Sequence, residues 1–330
     1  MTISSSNLLQ QVTNELSEEL SLVESYISEL LEECSEEMKP LIHHRKKISG
    51  KSVRAMLVLL IAKGYGNVTR DHIRVASYVE MIHAATLIHD DLLDEALERR
   101  RLSCFHVEWG AHAAVLFGDW IYATAFEDAT KMQDQMASKV LSGATKRVCQ
   151  GEISQNLSRY NLEISPEEYF YQIDGKTAAL FEAAAYLGAY YSSAEKSDSE
   201  SFKNFGLLAG RAFQIADDLL DIIGDADSAG KTLRRDLSSG KLTLPVILFL
   251  QSLPSGELNV FKEAFLKGES VLESDLKEEY PKEFSLAISS TKKIVSDLIE
   301  DAKKALLLLP KKEYADFLSE IVCFLGVRDY

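Results

Sequence analysis

The sequence holds few of the residues that interrupt regular structure. It has six prolines and 17 glycines among 330 residues, and segments of strand-like alternation between turn residues are nearly absent. A fold of many short strands needs frequent turn residues, so an all-β protein is excluded. Long apolar runs are missing as well. Since a membrane-spanning helix needs about 20 consecutive apolar residues, no transmembrane segment is expected.

Cysteine is also scarce. The four cysteines form no C-x-x-C pattern, so the sequence predicts neither a zinc site nor a disulfide framework, and we interpret them as separate core residues. They are Cys34, Cys104, Cys149 and Cys323. Residues 1–10 lack a charged segment followed by an apolar one, so no targeting segment is expected. Unpaired cysteines without a targeting segment predict a cytoplasmic location.

Basic residues are outnumbered, and the formal net charge is -15. Binding to a phosphate backbone requires an excess of Lys and Arg, so no nucleic-acid partner is expected. Small anionic ligands remain compatible with this charge, because local cations and bound metal ions reverse the sign inside a cleft.

What the sequence does contain is helical periodicity. Apolar residues recur every three or four positions from Leu8 to Ile27. In the tetrapeptide that starts at Ser165, Pro and two Glu residues follow the Ser, which is typical of a capped helix start. We predict a second capping box at Ser197. Gly, Asp and Ser concentrate in Gly224–Gly240, the main candidate loop and lid. With no low-complexity linker, we predict one all-α domain over residues 1–330.

The pentapeptide DDLLD occurs twice, at Asp90–Asp94 and at Asp217–Asp221. In a helix, residues four apart lie on one face about 6 Å apart, so the outer two aspartates of each copy project together. Both copies have apolar neighbours, and carboxylates near a core are costly unless a positive charge compensates. Carboxylate oxygens suit Mg²⁺, which also takes water and substrate phosphates as ligands.

Basic side chains near both copies extend this pattern to a diphosphate site. Arginine forks match phosphate oxygens, and His83 lies two helical turns before Asp90. The other basic residues are Lys51, Arg54, Arg99, Arg100, Arg101, Lys176, Lys231 and Lys241. The alternative is that each DDLLD is an amphipathic turn with solvated acids, within a helical scaffold protein. Two copies, each accompanied by cations, favour a metal and diphosphate site.

From about Lys46 to Pro245 the sequence resembles the trans-isoprenyl diphosphate synthases, also called polyprenyl synthetases. The resemblance rests on GKSVR, IHAATLIHDDLLDEALERR, WGAHAAVLFGDWIYATAF, GKTAALFEAA, FQIADDLLDIIGD and GKLTLP, in this order. It implies the isoprenoid synthase fold, a helical bundle around a deep central cavity, usually as a homodimer. It also implies an Mg²⁺-dependent prenyltransferase that condenses an allylic diphosphate with isopentenyl diphosphate.

The same resemblance implies roles for individual residues. The implied Mg²⁺ ligands and their neighbours are Asp90, Asp91, Asp94, Asp217, Asp218 and Asp221. The side chains expected to face the allylic diphosphate, where ionisation occurs, are Arg99, Lys176, Thr177, Gln214, Lys231 and Lys241. Those expected to hold isopentenyl diphosphate are Lys51, Arg54, His83 and Arg100. Loss of a proton to the released diphosphate would complete the reaction, so no protein nucleophile is required.

Product length is predicted from the residues before Asp90. Ala85 and Thr86 are small where short-chain relatives carry a bulky aromatic floor, which favours a long all-trans product such as a quinone side-chain precursor. Tyr78, further along, is a candidate stopper or a core residue. The alternatives are a short-chain farnesyl or geranylgeranyl diphosphate synthase and a non-catalytic subunit of a heteromeric synthase. A long product would leave by transient contact with a membrane.

A terpene cyclase is less consistent with the sequence, because it needs no site for isopentenyl diphosphate and usually carries a different second metal motif. Four positions depart from the family pattern. Ser49 and Arg101 replace glycines, Ser52 stands where an arginine is common, and Arg234 replaces a glycine in the lid segment. None of them is a predicted metal ligand, so they affect loop shape rather than reaction class.

Overall fold

The computed structural model describes residues 5–47, 50–99, 101–224, 235–259 and 277–326, and almost all of these residues are helical. The first seven helices are α1 (Ser5–Glu15), α2 (Ser17–Glu32), α3 (Lys39–Lys47), α4 (Val53–Tyr65), α5 (Arg70–Leu93), α6 (Phe105–Trp109) and α7 (Ala111–Thr130). A two-stranded hairpin, β1 (Glu98–Arg99) and β2 (Leu102–Ser103), lies between α5 and α6. The all-α prediction is confirmed.

The later helices are α8 (Met136–Leu157), α9 (Pro166–Ile173), α10 (Ala179–Tyr191), α11 (Lys196–Ile223), α12 (Arg235–Ser238), α13 (Leu244–Ser252), α14 (Pro281–Lys303) and α15 (Lys312–Gly326). A π-helical segment, Asp174–Ala178, joins α9 to α10. Short 3-10 turns cover Glu36–Met38 and Lys304–Leu308. Within the described ranges, no helix combines the length and apolar character that crossing a membrane requires.

The chain divides into two compact units. Unit 1 comprises Met1–Thr145, Leu180–Gly206 and Ala305–Ile321, and unit 2 comprises Lys146–Ala179, Leu207–Lys304 and Val322–Tyr330. Each unit is built from more than one stretch of the chain. The prediction of a single domain over the whole chain stays a prediction.

The core of unit 1 is centred on α4 and α5. Nearly every side chain of α4 is buried, as its continuous apolar run from Met56 to Ala62 predicts, and α5 packs against α2, α4 and α7. Helix α10 approaches α4 through Gly188, where an added Cβ would lie 3.1 Å from the Cα of Val58. This close packing fixes the start of α4 and the whole of α5, which together carry most of the predicted site residues of unit 1.

His72 caps α5 and is fully buried. Its ring Nδ1 accepts the Thr69 backbone N–H at 3.0 Å, and its Nε2 lies 3.2 Å from the Gly188 carbonyl oxygen. Burial lowers the pKa of His72 below its ordinary value, so the ring is held neutral. His72 is therefore a structural residue of the α5 start.

In unit 2, α13 packs against α9 and α14, and the predicted start of α9 is confirmed. The Ser165 hydroxyl accepts the Glu168 N–H at 3.2 Å, and the Glu168 carboxylate accepts the Ser165 N–H at 2.8 Å. The second predicted capping box, at Ser197, is wrong. Helix α11 already begins at Lys196, and the Asp198 N–H donates to the Glu195 carbonyl.

Two further expectations need correction. The candidate loop Gly224–Gly240 contains α12, and its residues 225–234 lie outside the described ranges. The cysteines are unpaired as expected, but Cys104 alone among the four is buried, whereas Cys149 is exposed. The interpretation as core residues is therefore right for Cys104 only, because Cys149 falls on the outer face of α8.

Candidate functional site

The first aspartate motif lies at the end of α5 in unit 1. The Asp94 backbone N–H donates to the Asp90 carbonyl at 2.8 Å, so the helical spacing of these two residues extends to the C-cap. The Asp90 side chain is half-buried and that of Asp94 is exposed. These two carboxylates therefore lie on one face at the open end of the helix.

Asp91, between them, is engaged by Arg99. Its side chain is 2% exposed, and the Arg99 Nε and Nη2 lie 2.8 Å and 2.7 Å from Oδ1. Burial alone would lower the pKa of Arg99, but the hydrogen bond and charge of Asp91 raise it. Arg99 thus makes a charge-assisted contact with the first aspartate motif, and the sequence did not predict this contact.

The hairpin that carries Arg99 also contains Arg101, one of the four departures from the family pattern. Arg99 pairs with Leu102, and Arg101 at the turn has a φ of 64°. This is the left-handed region that favours glycine, which matches the glycine expected at this position. Four residues singled out from the sequence lie outside the described ranges: Ser49, Arg100, Lys231 and Arg234.

Three of the four residues predicted for isopentenyl diphosphate are described, and they lie around α4 and α5 in unit 1. Arg54 is 9% exposed and its guanidinium carbon lies 4.4 Å from the centre of the Phe181 ring, whereas Lys51 is exposed. His83 is half-buried on α5. Burial lowers the pKa of Arg54 to about 10, and the charge of Glu80 opposes this shift. The structure thus places Lys51 and Arg54 where α4 starts and His83 along α5.

The predicted chain-length residues also lie on α5. Ala85 is fully buried, and Thr86 donates its hydroxyl to the His83 carbonyl at 2.7 Å. Tyr78, two turns before Ala85 on the same face, is fully buried, and its hydroxyl donates to Asp128 at 2.6 Å. The Thr86 hydroxyl is therefore engaged by the backbone of its own helix.

In unit 2, the π-helical segment presents Lys176 and Thr177. Asp174 at its start forms two contacts of 2.6 Å with Arg211, and Lys176 pairs with Glu152 at 2.5 Å. Gly175 is required here, since a Cβ would lie 2.5 Å from the Arg147 carbonyl oxygen. A π-helical turn widens the backbone and is frequent at functional sites. No residue pattern in this segment predicted a π-helical turn.

A chain of hydrogen bonds links this segment to the second aspartate motif. Thr177 donates to the Gln214 side-chain oxygen at 2.5 Å, and the Gln214 amide donates to Asp218 Oδ1 at 2.8 Å. The Tyr169 hydroxyl donates to the other Asp218 oxygen at 2.5 Å. Both Asp218 oxygens are therefore engaged by neutral groups, and burial raises the pKa of Asp218 to about 8.

The outer aspartates of the second motif, Asp217 and Asp221, lie close to a third acid. The Asp236 backbone N–H donates to Asp221 Oδ2 at 3.3 Å. Burial, and then the charge of Asp221, raise the pKa of Asp236 to about 6, while Lys241 and Lys176 act in the opposite direction. Asp236 was missed from the sequence, although its place between Lys231 and Lys241 was a usable signal.

The donor set of both motifs is suited to a hard divalent cation. Within the parts of the chain that are described, no three His, Cys, Asp or Glu side chains already converge as a metal site. Mg²⁺ does not need such a cage, because it is commonly held by one or two carboxylates together with water and substrate phosphates. The pairs Asp90 with Asp94 and Asp217 with Asp221 supply carboxylates of this kind.

Comparison with the models of known protein families identifies the family of this chain. The model of the polyprenyl synthetase family matches residues 35–280. This chain belongs to the polyprenyl synthetase family. Octaprenyl diphosphate synthase of Escherichia coli strain K12 is 33% identical over 239 residues, which cover 72% of this chain and 74% of that protein. The predicted family and the prediction of a prenyltransferase are confirmed.

Relatives of similar identity make products of different length, to judge from their names. Geranylgeranyl diphosphate synthase of Methanosarcina mazei is 30% identical over 93% of this chain and 98% of that protein. Heptaprenyl diphosphate synthase component 2 of Geobacillus stearothermophilus is 30% identical over 96% of this chain and 97% of that protein. Family membership alone therefore does not give the product length.

Solved structures agree with the predicted isoprenoid synthase fold. A decaprenyl diphosphate synthase from Rhodobacter capsulatus superimposes with a TM-score of 0.87 at 30% identity, covering 97% of this chain and all (100%) of that one. A polyprenyl synthase from Caulobacter crescentus CB15, complexed with calcium and isoprenyl diphosphate, gives 0.87 at 28% identity and covers 98% of both chains. The fold prediction is confirmed.

Proposed function

We propose that this protein is an Mg²⁺-dependent synthase that condenses an allylic diphosphate with isopentenyl diphosphate to a long-chain all-trans polyprenyl diphosphate. The observation that carries the proposal is the network in which Thr177, Gln214 and Asp218 connect the π-helical segment to the second aspartate motif. It fixes neutral oxygen dipoles beside the outer aspartates, an arrangement that suits a reaction through an allylic cation.

The carboxylates proposed to hold Mg²⁺ are Asp90 and Asp94 in unit 1 and Asp217 and Asp221 in unit 2. When bound, the metal supplies positive charge that offsets the charge developing on the leaving diphosphate. We assign Asp91 and Asp218 supporting roles, because Arg99 engages the first and Gln214 and Tyr169 engage the second.

The basic side chains are proposed to bind the two diphosphates. Arg99, Lys176, Lys231 and Lys241 are assigned to the allylic substrate, and Lys51, Arg54, His83 and Arg100 to isopentenyl diphosphate. Cleavage of the allylic C–O bond leaves a delocalised cation, towards which the Thr177 and Gln214 oxygens orient their dipoles. The double bond of isopentenyl diphosphate then forms the new C–C bond, and a proton passes to the released diphosphate. We propose a homodimer in the cytoplasm as the working form.

Small side chains support a long product. Ala85 is buried on α5 just before Asp90, and Thr86 has its hydroxyl turned to its own helix, so neither provides an aromatic floor. One isoprene unit is about as long as one helical turn, roughly 5 Å. The chain would therefore grow past this level, in contrast to a short-chain enzyme with an aromatic side chain here.

One observation favours a shorter product. Tyr78 is fully buried and fixed by its hydrogen bond to Asp128, and 12 residues of helix place it about 18 Å from Asp90. A closed path at Tyr78 would leave room for three to four isoprene units, about the size of a geranylgeranyl chain. A geranylgeranyl diphosphate synthase is therefore the second candidate.

The test is to incubate the purified protein with farnesyl diphosphate, labelled isopentenyl diphosphate and Mg²⁺, and to size the dephosphorylated products. Products longer than 30 carbons, lost on addition of EDTA and restored by Mg²⁺, are the expected result. Products that stop at 20 carbons would support the second candidate. No product from this chain alone, with activity restored by a separate subunit, would identify a non-catalytic component instead.

A further inference from the structure

The first turn of α4 is capped by a side chain from another helix. Ser52, the residue before α4, has a φ of 50° and makes no side-chain capping hydrogen bond. Instead, Glu80 of α5 accepts the Ala55 backbone N–H at 3.0 Å. Burial raises the pKa of Glu80, and the Ala55 N–H and the charges of Arg54 and Arg45 oppose this rise. Helix starts leave such N–H groups unpaired, and a carboxylate there is stabilised by the helix dipole.

The same carboxylate is the counter-charge of two buried arginines. Glu80 and Arg54 are each 9% exposed, and Arg45 of α3 is 4% exposed. Burial lowers the pKa of both guanidinium groups. The charge of Glu80 opposes the shift at Arg54, and the charges of Glu24 and then Glu80 oppose it at Arg45. Buried charges are costly unless an opposite charge compensates them, so the Glu80 charge favours the burial of both guanidinium groups.

These guanidinium groups retain donors that the protein does not use. Among the described residues, Arg54 Nε and Arg45 Nε and Nη1 have no hydrogen-bond partner, although Glu24 lies 3.7 Å from Arg45 Nη1. Buried donors without an acceptor cost free energy, and native proteins pair almost all of them. The Phe181 ring, 4.4 Å from the Arg54 guanidinium, restricts the direction in which that group points.

We propose that Glu80 is a positioning residue for isopentenyl diphosphate, because it caps α4 and holds Arg54 and Arg45 with donor groups directed to the diphosphate. Arg45 is thereby assigned as a second guanidinium of this site, which the sequence motifs did not indicate. Lys51 and Arg54 add positive charge at the start of α4, and the Glu24 carboxylate, 3.7 Å from Arg45 Nη1, is 51% exposed. This inference rests on the proposed condensation reaction.

The decisive variant is Glu80→Gln. The glutamine oxygen can still accept the Ala55 N–H, so the cap is kept while the counter-charge is lost. The expected result is a rise of about tenfold or more in the KM for isopentenyl diphosphate, which corresponds to about 1.4 kcal/mol. The KM for farnesyl diphosphate and kcat should stay within about twofold, because nothing that contacts the allylic substrate is altered.

The matched control is Glu24→Gln. This carboxylate also lies near Arg45, but it is 51% exposed and contacts neither Arg54 nor the start of α4. The KM for isopentenyl diphosphate should change by less than about twofold. A second variant, Arg45→Gln, keeps both Glu80 and the α4 cap, so it tests the assignment even if Glu80→Gln fails to fold. It should raise the same KM and no other.

Unchanged KM for isopentenyl diphosphate in Glu80→Gln and Arg45→Gln would overturn the inference. So would a uniform loss, in which kcat and both KM values worsen together with a lower Tm, since that is the signature of a merely structural residue. If the unaltered protein forms no product from farnesyl and isopentenyl diphosphate, the proposed reaction itself fails. Calorimetric titration with isopentenyl diphosphate then tests the site alone, and equal affinities of the unaltered protein and Glu80→Gln would refute it.

Discussion

The two DDLLD motifs have the same five residues but different surroundings. In unit 1, the middle acid Asp91 contacts the guanidinium of Arg99, which reaches it from the hairpin behind α5. In unit 2, the middle acid Asp218 contacts the neutral amide of Gln214 and the hydroxyl of Tyr169. An identical local sequence therefore gives an ion pair in one place and a buried acid of raised pKa in the other.

The difference shows that the role of a motif residue is set by what packs against it. Asp91 holds the Arg99 guanidinium next to the first aspartate motif, whereas Asp218 orients Gln214. The Gln214 side-chain oxygen in turn accepts the Thr177 hydroxyl. Asp90, Asp94 and Asp217 are more exposed than the middle acids, whereas Asp221 is 8% exposed. These four outer aspartates are the ones proposed to hold Mg²⁺. The predictions below separate the outer from the middle acids and the first motif from the second.

The largest effect is expected from the outer acids. Asp90→Ala and Asp217→Ala should each lower kcat by about a thousandfold or more, equivalent to about 4 kcal/mol of transition-state stabilisation. Helix content by circular dichroism should stay near that of the unaltered protein, because each change removes one side chain from a helix. Asp297→Ala, at an exposed acid of α14, is the control and should retain full activity. Activity retained in Asp90→Ala would remove that residue from the mechanism.

The second prediction compares the alanines five residues before each motif. Ala85 and Ala212 are both fully buried, so Ala85→Phe and Ala212→Phe should each cost about 1–3 kcal/mol through overpacking. Only Ala85→Phe should also shorten the product, because the proposed path of the chain runs along α5. The measurement is the size of the dephosphorylated products at equal amounts of folded protein. The same product distribution in both variants would refute the floor argument.

The middle acids give a smaller effect, on stability. Asp91→Asn removes the partner of a charged guanidinium and should lower the free energy of unfolding by about 2 kcal/mol. Asp218→Asn should cost less than about 1 kcal/mol, since asparagine can still accept one hydrogen bond and the hydrogen-bond partners at this position are neutral. Urea denaturation without metal at pH 7 measures both. Equal losses would show that the two surroundings are energetically alike.

The smallest effect concerns pH. Burial would raise the pKa of Asp128, but Tyr26, Tyr78 and Arg74 hold it below its ordinary value, opposite to the direction at Asp218. The ionised Asp128 therefore adds stability above about pH 4, and this is lost as pH falls through its lowered pKa. Asp128→Asn should cost about 1 kcal/mol at pH 7 and less at pH 3.

Denaturation curves at both values test this, with Asp119→Asn on the exposed side of α7 as the control. A loss from Asp128→Asn that is the same at pH 3 and pH 7 would contradict the lowered pKa. A loss of unfolding free energy that is larger at pH 3 than at pH 7 would indicate a raised pKa of Asp128 instead of a lowered one.

Local patterns were predicted well and long-range partners were not. The Ser165 cap was found because its whole hydrogen-bonding pattern lies within four residues. The prediction of a cap at Ser197 failed because the helix begins at Lys196, two residues before the Asp198 start that this cap would give. The cap of α4 could not be found, since its acceptor, Glu80, is 25 residues away in the chain.

The sequence by itself determined the helical class, the family and the positions of both aspartate motifs, because each depends on residue types at fixed short spacings. The tertiary structure decided which acid pairs with Arg99, that Asp236 joins Asp217 and Asp221, and that Glu80 supports the start of α4. These contacts depend on burial and on distances between segments far apart in the chain. A one-dimensional pattern contains neither of them.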